Sequence, residues 1–178
     1  MTTHPSDLLV LNERGAGLLL TPCPGSKSVA PGDALEQLKA AGADALITLM
    51  PKNEMAANAV TDLPELCARC DLPWFHLPIE DDHAPEADFV RAWTVQRAAV
   101  HQLLDAGKTI AIHCKGGSGR TGLMATQILV ERGWSKDDAI AAVKTLRPQA
   151  MSLLAHQAYI ARLPPAEAAH PGSGSGLG

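Results

Sequence analysis

The sequence predicts an α/β sandwich, a single domain with a central, mainly parallel, twisted sheet flanked by helices. Short apolar segments of strand length alternate with longer segments of helical periodicity, the pattern of parallel strands connected through helices. Two of the predicted strands are continuous apolar runs, as expected for parallel strands that are buried on both faces. A length of 178 residues fits one such domain with its own core.

In the first half, an edge hairpin is predicted because two apolar runs flank the turn segment Asn12-Glu13-Arg14-Gly15. Gly42 is a typical stop after a helix, and the continuous apolar run from Ala45 to Met50 is typical of a buried parallel strand. After Pro51 we expect a polar loop. The predicted elements are strands at 8–11 and 17–20, a helix at 33–41, a strand at 45–50 and a helix at 63–70.

In the second half, the longest predicted helix has regularly spaced apolar positions and ends at Gly107. Ser135 precedes a helix as part of a capping box, and Pro148 ends that helix. The predicted elements are a strand at 74–79, an acidic loop at 80–85, a helix at 87–106, a strand at 109–113, and helices at 121–132, 135–147 and 153–163. We expect the domain to occupy residues 1–163, with a flexible C-terminal tail at 164–178.

Composition excludes several classes of protein. The formal net charge of −4 argues against nucleic acid or an acidic membrane as the main partner. No segment approaches the roughly 20 apolar residues of a membrane span, and no basic cluster precedes an apolar run as in a secretory signal. The four cysteines do not have the spacing of a disulfide framework, which favours a reduced, cytoplasmic environment. We expect a cytoplasmic monomer.

The segment from Cys114 to Arg120 carries the chemistry. An apolar strand runs into the cysteine, and Gly116, Gly117 and Gly119 allow the loop to curl with its amides pointing inward. A helix N-terminus follows, which favours a dianion, and Arg120 can bind two phosphate oxygens in a fork. The same features favour the thiolate over the thiol, so attack by Cys114 on phosphorus would give a phosphocysteine.

The alternative interpretation of this segment is a buried free cysteine beside an incidental glycine-rich loop. That alternative must also explain His113, the three glycines and the Cys-x5-Arg spacing, so it is disfavoured. The phosphate-binding loop of nucleotide hydrolases is excluded, since no Gly-Lys-[Ser/Thr] closes the loop.

The segment from His113 to Thr121 resembles the signature His-Cys-x5-Arg-[Ser/Thr] of the protein tyrosine phosphatase superfamily. The resemblance implies that Cys114 is the nucleophile, that Arg120 clamps the phosphate and that His113 orients the loop. It further implies that the Thr121 hydroxyl stabilises the thiolate leaving in the second step. The implied phosphate-binding residues are Lys115, Gly116, Gly117, Ser118, Gly119 and Arg120, and no metal or cofactor is expected.

A phosphatase of this type also needs a proton donor for the leaving oxygen. Glu80-Asp81-Asp82, taken alone, is more typical of a solvated acidic turn. However, Pro78-Ile79-Glu80-Asp81, with Pro85 four residues later, resembles the acid loop of the cyclin-dependent-kinase-associated phosphatases, which are of the dual-specificity type. The resemblance implies that Asp81 is the general acid and later the base, with Asp82 as the alternative. It also suggests that Gln157 corresponds to a glutamine near the catalytic water.

The substrate is the open question. Lys115 resembles the first lysine in the loops of phosphoinositide phosphatases, but the second lysine of that pattern is Ser118 here. We therefore expect a phosphorylated protein (Tyr, Ser or Thr) or a small phosphomonoester as substrate, with a phosphoinositide or inositol phosphate as the alternative. A non-catalytic module that binds phosphorylated partners is disfavoured by the intact set of Cys114, Arg120 and Asp81. Arsenate reduction also uses Cys-x5-Arg, but with the loop near the N-terminus.

The other cysteines allow further interpretations. Cys67 and Cys70 could form half a zinc site or a redox pair, but no second pair exists, and a core position in a helix is favoured. A disulfide between oxidised Cys114 and Cys23, Cys67 or Cys70 remains an alternative, because an exposed thiolate oxidises readily.

Overall fold

A computed structural model of the protein describes residues 2–12 and 14–164. In chain order, its elements are β1 Asp7–Val10, β2 Gly17–Thr21, α1 Pro31–Ala40, β3 Ala45–Thr48, α2 Lys52–Ala57, α3 Leu63–Arg69, β4 Trp74–His76, α4 Ala87–Asp105, β5 Thr109–His113, α5 Gly119–Glu131, α6 Lys136–Leu146 and α7 Leu154–Ala161. The α/β fold with one central sheet is confirmed.

The five strands form one sheet in the order β1-β2-β5-β3-β4. The β1–β2 pair is the predicted hairpin and is antiparallel, whereas the other three pairs are parallel. The register places Thr21, His113 and Thr48 side by side at the carboxyl ends of β2, β5 and β3. Sites of open parallel sheets form at this edge, beyond the strands' carboxyl ends.

The alternation of side chains along the strands divides the core into two layers. On one face, Ile110 and Ile112 of β5 belong to a cluster with apolar side chains of α4, α5 and α6. On the other face, Ala111 of β5 and Leu46 of β3 belong to a second cluster with side chains of α1 and α3. The central strand is buried on both faces, as its continuous apolar sequence predicts.

Most elements agree with the predicted bounds within a few residues, with two informative differences. The segment after Pro51, predicted to be a polar loop, contains the six-residue helix α2, so that prediction is wrong. Helix α5 begins at Gly119, two residues earlier than predicted, so that Arg120 lies inside its first turn. The predicted tail, apart from Pro164, lies outside the described residues. Within the described part of the chain, no helix is long and apolar enough to cross a membrane.

Candidate active site

The glycine-rich loop lies directly after the central strand β5 and before α5. Cys114, the first residue after the strand, is only 3% exposed. Its Sγ accepts hydrogen bonds from the backbone N–H of Gly117 at 3.2 Å and from the Oγ1 of Thr121 at 3.1 Å. Hydrogen bonds of this kind stabilise negative charge on the atom that accepts them.

His113 is fully buried, and its protonation state follows from its partners. Its Nδ1 lies 2.9 Å from the backbone oxygen of Cys114, which can only accept, so Nδ1 carries the proton. Burial is the main cause that lowers the pKa of His113 to about 4, so the ring is neutral near pH 7. The Nε2 therefore accepts from the Thr48 hydroxyl at 2.7 Å, and that oxygen accepts from the Trp74 indole N–H at 2.8 Å. This chain of donors fixes the ring and the Cys114 carbonyl.

Arg120 is 2% exposed and is held by three acceptors on two other segments. Its Nη1 and Nη2 donate to the two carboxylate oxygens of Glu54 at 2.8 and 2.7 Å, in a bidentate pair. The Nη1 also donates to the backbone oxygen of Ile79 at 2.8 Å. The guanidinium plane is thereby fixed beside Cys114 before any substrate binds, and fixed orientation makes a cation effective in binding phosphate.

The acid loop, residues 80–85, brings Asp81 close to Arg120. An Oδ1 of Asp81 lies 3.5 Å from Nη2 of Arg120, while the Asp81 side chain remains 69% exposed. The same Oδ1 accepts from the backbone N–H of Asp82, whose φ is +61°. The Nδ1 of His83 donates to the Asp81 backbone oxygen at 2.8 Å, and the Nε2 of His156 donates to the His83 backbone oxygen at 2.8 Å. Asp81 is thus placed beside Arg120, with solvent and substrate access.

Gly117 is the position where the loop requires glycine. Its φ is +83°, and a Cβ there would lie 2.7 Å from the backbone nitrogen of Pro22 and 2.7 Å from the carbonyl carbon of Thr21. Arg147 binds the same residue, with Nε donating to the Gly117 oxygen at 2.7 Å and Nη2 to the Leu20 oxygen at 2.9 Å. The loop is therefore clamped between the end of β2 and the residue that follows α6.

The remaining loop residues differ in exposure. Lys115 and Gly116 are exposed, whereas Ser118 and Gly119 are half-buried. The backbone oxygen of Lys115 accepts from the N–H of Cys23 at 3.0 Å. Lys115 and Gly116 are therefore the part of the loop that faces solvent.

The other three cysteines lie outside the glycine-rich loop. Cys23, Cys67, Cys70 and Cys114 are all free. Burial raises the pKa of Cys23 and that of Cys67 to about 12, which makes both poor nucleophiles. Cys67 packs in the second core layer, in agreement with the favoured core interpretation. Within residues 2–12 and 14–164, no cluster of three or more His, Cys, Asp or Glu side chains is suited to hold a metal ion.

The side-chain hydrogen bond of Gln157 does not go to the glycine-rich loop. Its Nε2 donates to the backbone oxygen of Met151 at 2.8 Å, on the side of α7 that faces α6. The residue of α7 that reaches the active site is its neighbour, His156.

Sequence reasoning missed Glu54, Arg147 and His156. Glu54 lies on α2, and a signal for this helix exists: Pro51 is followed by a glutamate three residues later and then by Met55, Ala56 and Ala57, which favour helix. No local signal identifies Arg147 or His156, because their partners at the site lie 30 and 73 residues away in the chain.

Comparisons with known proteins agree with this geometry. The chain is 22% identical to kinase associated phosphatase, with a TM-score of 0.75 over 90% of this chain and 93% of that one. Human DUSP28 is 20% identical, with a TM-score of 0.61 over 91% of this chain and 95% of that one. These structures establish the shared fold.

A curated relative is the Arabidopsis thaliana protein named phosphatidylinositol 3,4,5-trisphosphate 3-phosphatase and protein-tyrosine-phosphatase PTEN1. It is 30% identical over 88 residues, which is 47% of this chain. The matched part spans only 21% of the length of that relative. A family model described as "Polymorphic toxin system, DSP-PTPase phosphatase" matches residues 23–134, which include β5, the glycine-rich loop, the acid loop and α2. The protein therefore belongs to this family of phosphatases of the dual-specificity and protein tyrosine phosphatase type.

Proposed function

We propose that the protein is a metal-independent phosphomonoesterase that works through a phosphocysteine, with Cys114 as nucleophile, Arg120 as phosphate clamp and Asp81 as general acid. The observation that carries this proposal is the pair of hydrogen bonds that Cys114 Sγ accepts from Gly117 N–H and Thr121 Oγ1. Two hydrogen bonds donated to a buried sulfur stabilise the negative charge that a nucleophilic cysteine needs.

In the first step, the Cys114 thiolate attacks phosphorus, and the bond to the leaving oxygen breaks. Loop amides and Arg120 bind the phosphoryl oxygens, and binding through Nε and Nη2 leaves the contact of Nη1 with Glu54 in place. Asp81 gives its proton to the leaving oxygen, which avoids release of a free alkoxide or phenoxide.

In the second step, water attacks the phosphocysteine and Asp81 takes its proton. The sulfur–phosphorus bond breaks, inorganic phosphate forms and the thiolate is restored. Thr121 Oγ1 already lies 3.1 Å from Sγ, so it can stabilise the returning negative charge without any rearrangement. Asp81 serves this step better than Asp82, because Asp81 is the carboxylate next to Arg120.

We propose phosphorylated tyrosine, serine or threonine in proteins as the substrate class. The exposed surface of the loop at Lys115 and Gly116 and the exposed Asp81 carboxylate leave the site open to a residue on a protein surface. Phosphoinositides or inositol phosphates are the alternative, supported by the exposed Lys115 beside the nucleophile and by the likeness to a protein whose name includes a phosphatidylinositol phosphatase.

The decisive experiment measures turnover of para-nitrophenyl phosphate with and without a metal chelator, for the wild type and for Cys114→Ser. We expect wild-type activity that is unchanged by the chelator and no turnover by Cys114→Ser. Activity that survives Cys114→Ser, or that the chelator abolishes, would contradict the mechanism. Phosphopeptides compared with soluble inositol phosphates and phosphoinositide vesicles then decide the substrate class.

A further inference from the structure

The acid loop is tied to helix α7 through one buried histidine. His156 lies in the first turn of α7 and is 1% exposed. Its Nε2 lies 2.8 Å from the backbone oxygen of His83, which can only accept, so Nε2 carries a proton. The other ring nitrogen, Nδ1, is buried and has no hydrogen-bond partner among the described residues. Among the described residues, the His156 side chain therefore makes one hydrogen bond, and it goes to the acid loop.

This contact continues to the backbone of the general acid. The His83 ring turns back and donates from Nδ1 to the backbone oxygen of Asp81 at 2.8 Å. Between them, Asp82 adopts a left-handed conformation with φ +61°, which is uncommon for residues other than glycine but accessible to Asp. The backbone around Asp81 is thus held on one side by His83 and, through the His83 carbonyl, by His156.

Helix α7 is itself fixed to the helix that starts at the glycine-rich loop. Ile160 of α7 belongs to the core layer that also contains the buried face of α5. The Tyr159 hydroxyl donates to Oε1 of Gln127 on α5 at 2.8 Å. A side chain of α7 that binds the acid loop therefore connects that loop to the same rigid body that carries Arg120 and Thr121.

From this geometry we infer that His156 is a positioning residue for general-acid catalysis: by donating to the His83 carbonyl, it holds the loop in the conformation that places the Asp81 carboxylate next to Arg120. The inference rests on the proposed role of Asp81. The hydrogen bond of His156 goes to the loop backbone and not to Cys114, so His156 would act through the position of Asp81. Its loss should therefore affect only substrates that need the proton.

The test compares kcat/KM for phenyl phosphate, whose leaving group requires protonation, with kcat/KM for a fluorinated methylumbelliferyl phosphate, whose leaving group does not. For His156→Leu, which keeps bulk but removes the donor, we expect a loss of about 10-fold or more on phenyl phosphate and less than about 2-fold on the activated ester. His156→Gln, whose amide nitrogen can take the place of Nε2, should restore most of the loss. If His156→Leu does not fold, His156→Asn, whose amide is too short to reach, replaces it.

Three further variants separate the possible outcomes. Tyr159→Phe removes a hydrogen bond from the same helix without touching the acid loop. Its kcat/KM relative to wild type should therefore be the same for both substrates. Asp81→Asn should show the discrimination in full, about 10²-fold or more on phenyl phosphate, and adding His156→Leu to it should cause no further loss. An Asp81→Asn variant without discrimination overturns the proposed function.

If Asp81→Asn loses more activity on phenyl phosphate than on the activated ester but His156→Leu does not, the role of His156 is wrong and the proposed function stands. Equal losses on both substrates, without rescue by His156→Gln, would reduce His156 to a structural residue and would also overturn it.

Discussion

The two ends of helix α5 carry similar clusters of charges and use them differently. At the N-terminal end, Arg120 binds Glu54 in a bidentate pair, but Glu54 is 20% exposed and Asp81, at 3.5 Å, is 69% exposed. At the C-terminal end, Glu131 is 12% exposed and accepts four hydrogen bonds, two on each carboxylate oxygen. Its donors are Trp93, Arg97, His101 and Gln127.

The difference teaches where a charged cluster can bind a ligand. All four hydrogen bonds of the Glu131 carboxylate come from side chains of the protein, so this carboxylate joins α4 to α5 and is already satisfied without a ligand. The Arg120 cluster is held on its Glu54 side and open on its Asp81 side, so that a phosphate can join it. We expect substitutions at the first end to change activity more than stability, and substitutions at the second end to do the reverse.

Among substitutions at the two ends of α5, Arg120→Lys should have the largest effect on activity. Lysine keeps the charge opposite Glu54 but cannot present a planar fork to phosphate. We expect kcat/KM to fall by about 10²- to 10³-fold, with the melting temperature changed by a few degrees at most. Steady-state kinetics and thermal unfolding of the same preparation check this, and a large loss of stability with retained activity would contradict the comparison.

Glu131→Gln should have the largest effect on stability. The substitution leaves Arg97 without its counter-charge in a half-buried site and sets an amide against four donors. Breaking a buried ion pair from one side costs about 3 kcal/mol, so urea unfolding should show a loss of that order. The activity of the folded variant at moderate temperature should stay within about 2-fold of wild type. A variant of normal stability would show that the four hydrogen bonds stabilise the fold little.

Glu54→Gln should have an intermediate effect on catalysis. The amide can accept one hydrogen bond from Arg120, but it removes the bidentate ion pair that fixes the guanidinium plane. We expect kcat/KM to fall by about 10-fold through looser positioning of Arg120, with a smaller loss of stability than for Glu131→Gln because the site is partly exposed. In the double variant Glu54→Gln, Arg120→Lys, the loss of kcat/KM should be much smaller than the product of the two single losses.

His113, on β5 just before the glycine-rich loop, and Glu131, at the C-terminal end of α5, should make the stability of the fold depend on pH in two different ranges. Burial lowers the pKa of His113 from 6.5 to about 4, so the unfolded chain takes up this proton first and stability falls as pH drops from about 6.5 to about 4. Hydrogen bonds from His101 and the other donors outweigh burial and lower the pKa of Glu131 from 4.5 to about 2, so its stabilisation is lost between about pH 4.5 and pH 2. Each group contributes at most about 1.4 kcal/mol per pH unit.

Unfolding measured from pH 7 to pH 2 for wild type and for Glu131→Gln checks this difference. The variant should lose the slope of the lower window and keep that of the upper one. Identical slopes in both proteins below pH 4.5 would show that Glu131 does not titrate as the cluster implies.

The parts of the molecule that sequence predicts are the parts encoded locally. The strand β5, Cys114, the glycines and the start of α5 are contiguous, so their pattern predicts both the structure and the phosphate-binding loop. The partners of that loop are not contiguous with it. Glu54 reaches Arg120 across 66 residues, and its helix α2, only six residues long, has too few turns to show periodicity. His156 could be found only through the packing of α7 against α5, which no single-sequence pattern reports.

The position of β2 has a consequence for how the domain holds together during unfolding. The segment that matches the family model begins at Cys23, two residues after β2 ends, yet β2 supplies one entire edge of hydrogen bonds to β5. A fragment restricted to residues 23–134 would leave that edge of the central strand unpaired, an invitation to intermolecular strand pairing. It would also lack Arg147, which clamps Gly117. The unit that folds cooperatively is therefore expected to be larger than residues 23–134, and amide exchange of β5 should be faster in such a fragment than in the full chain.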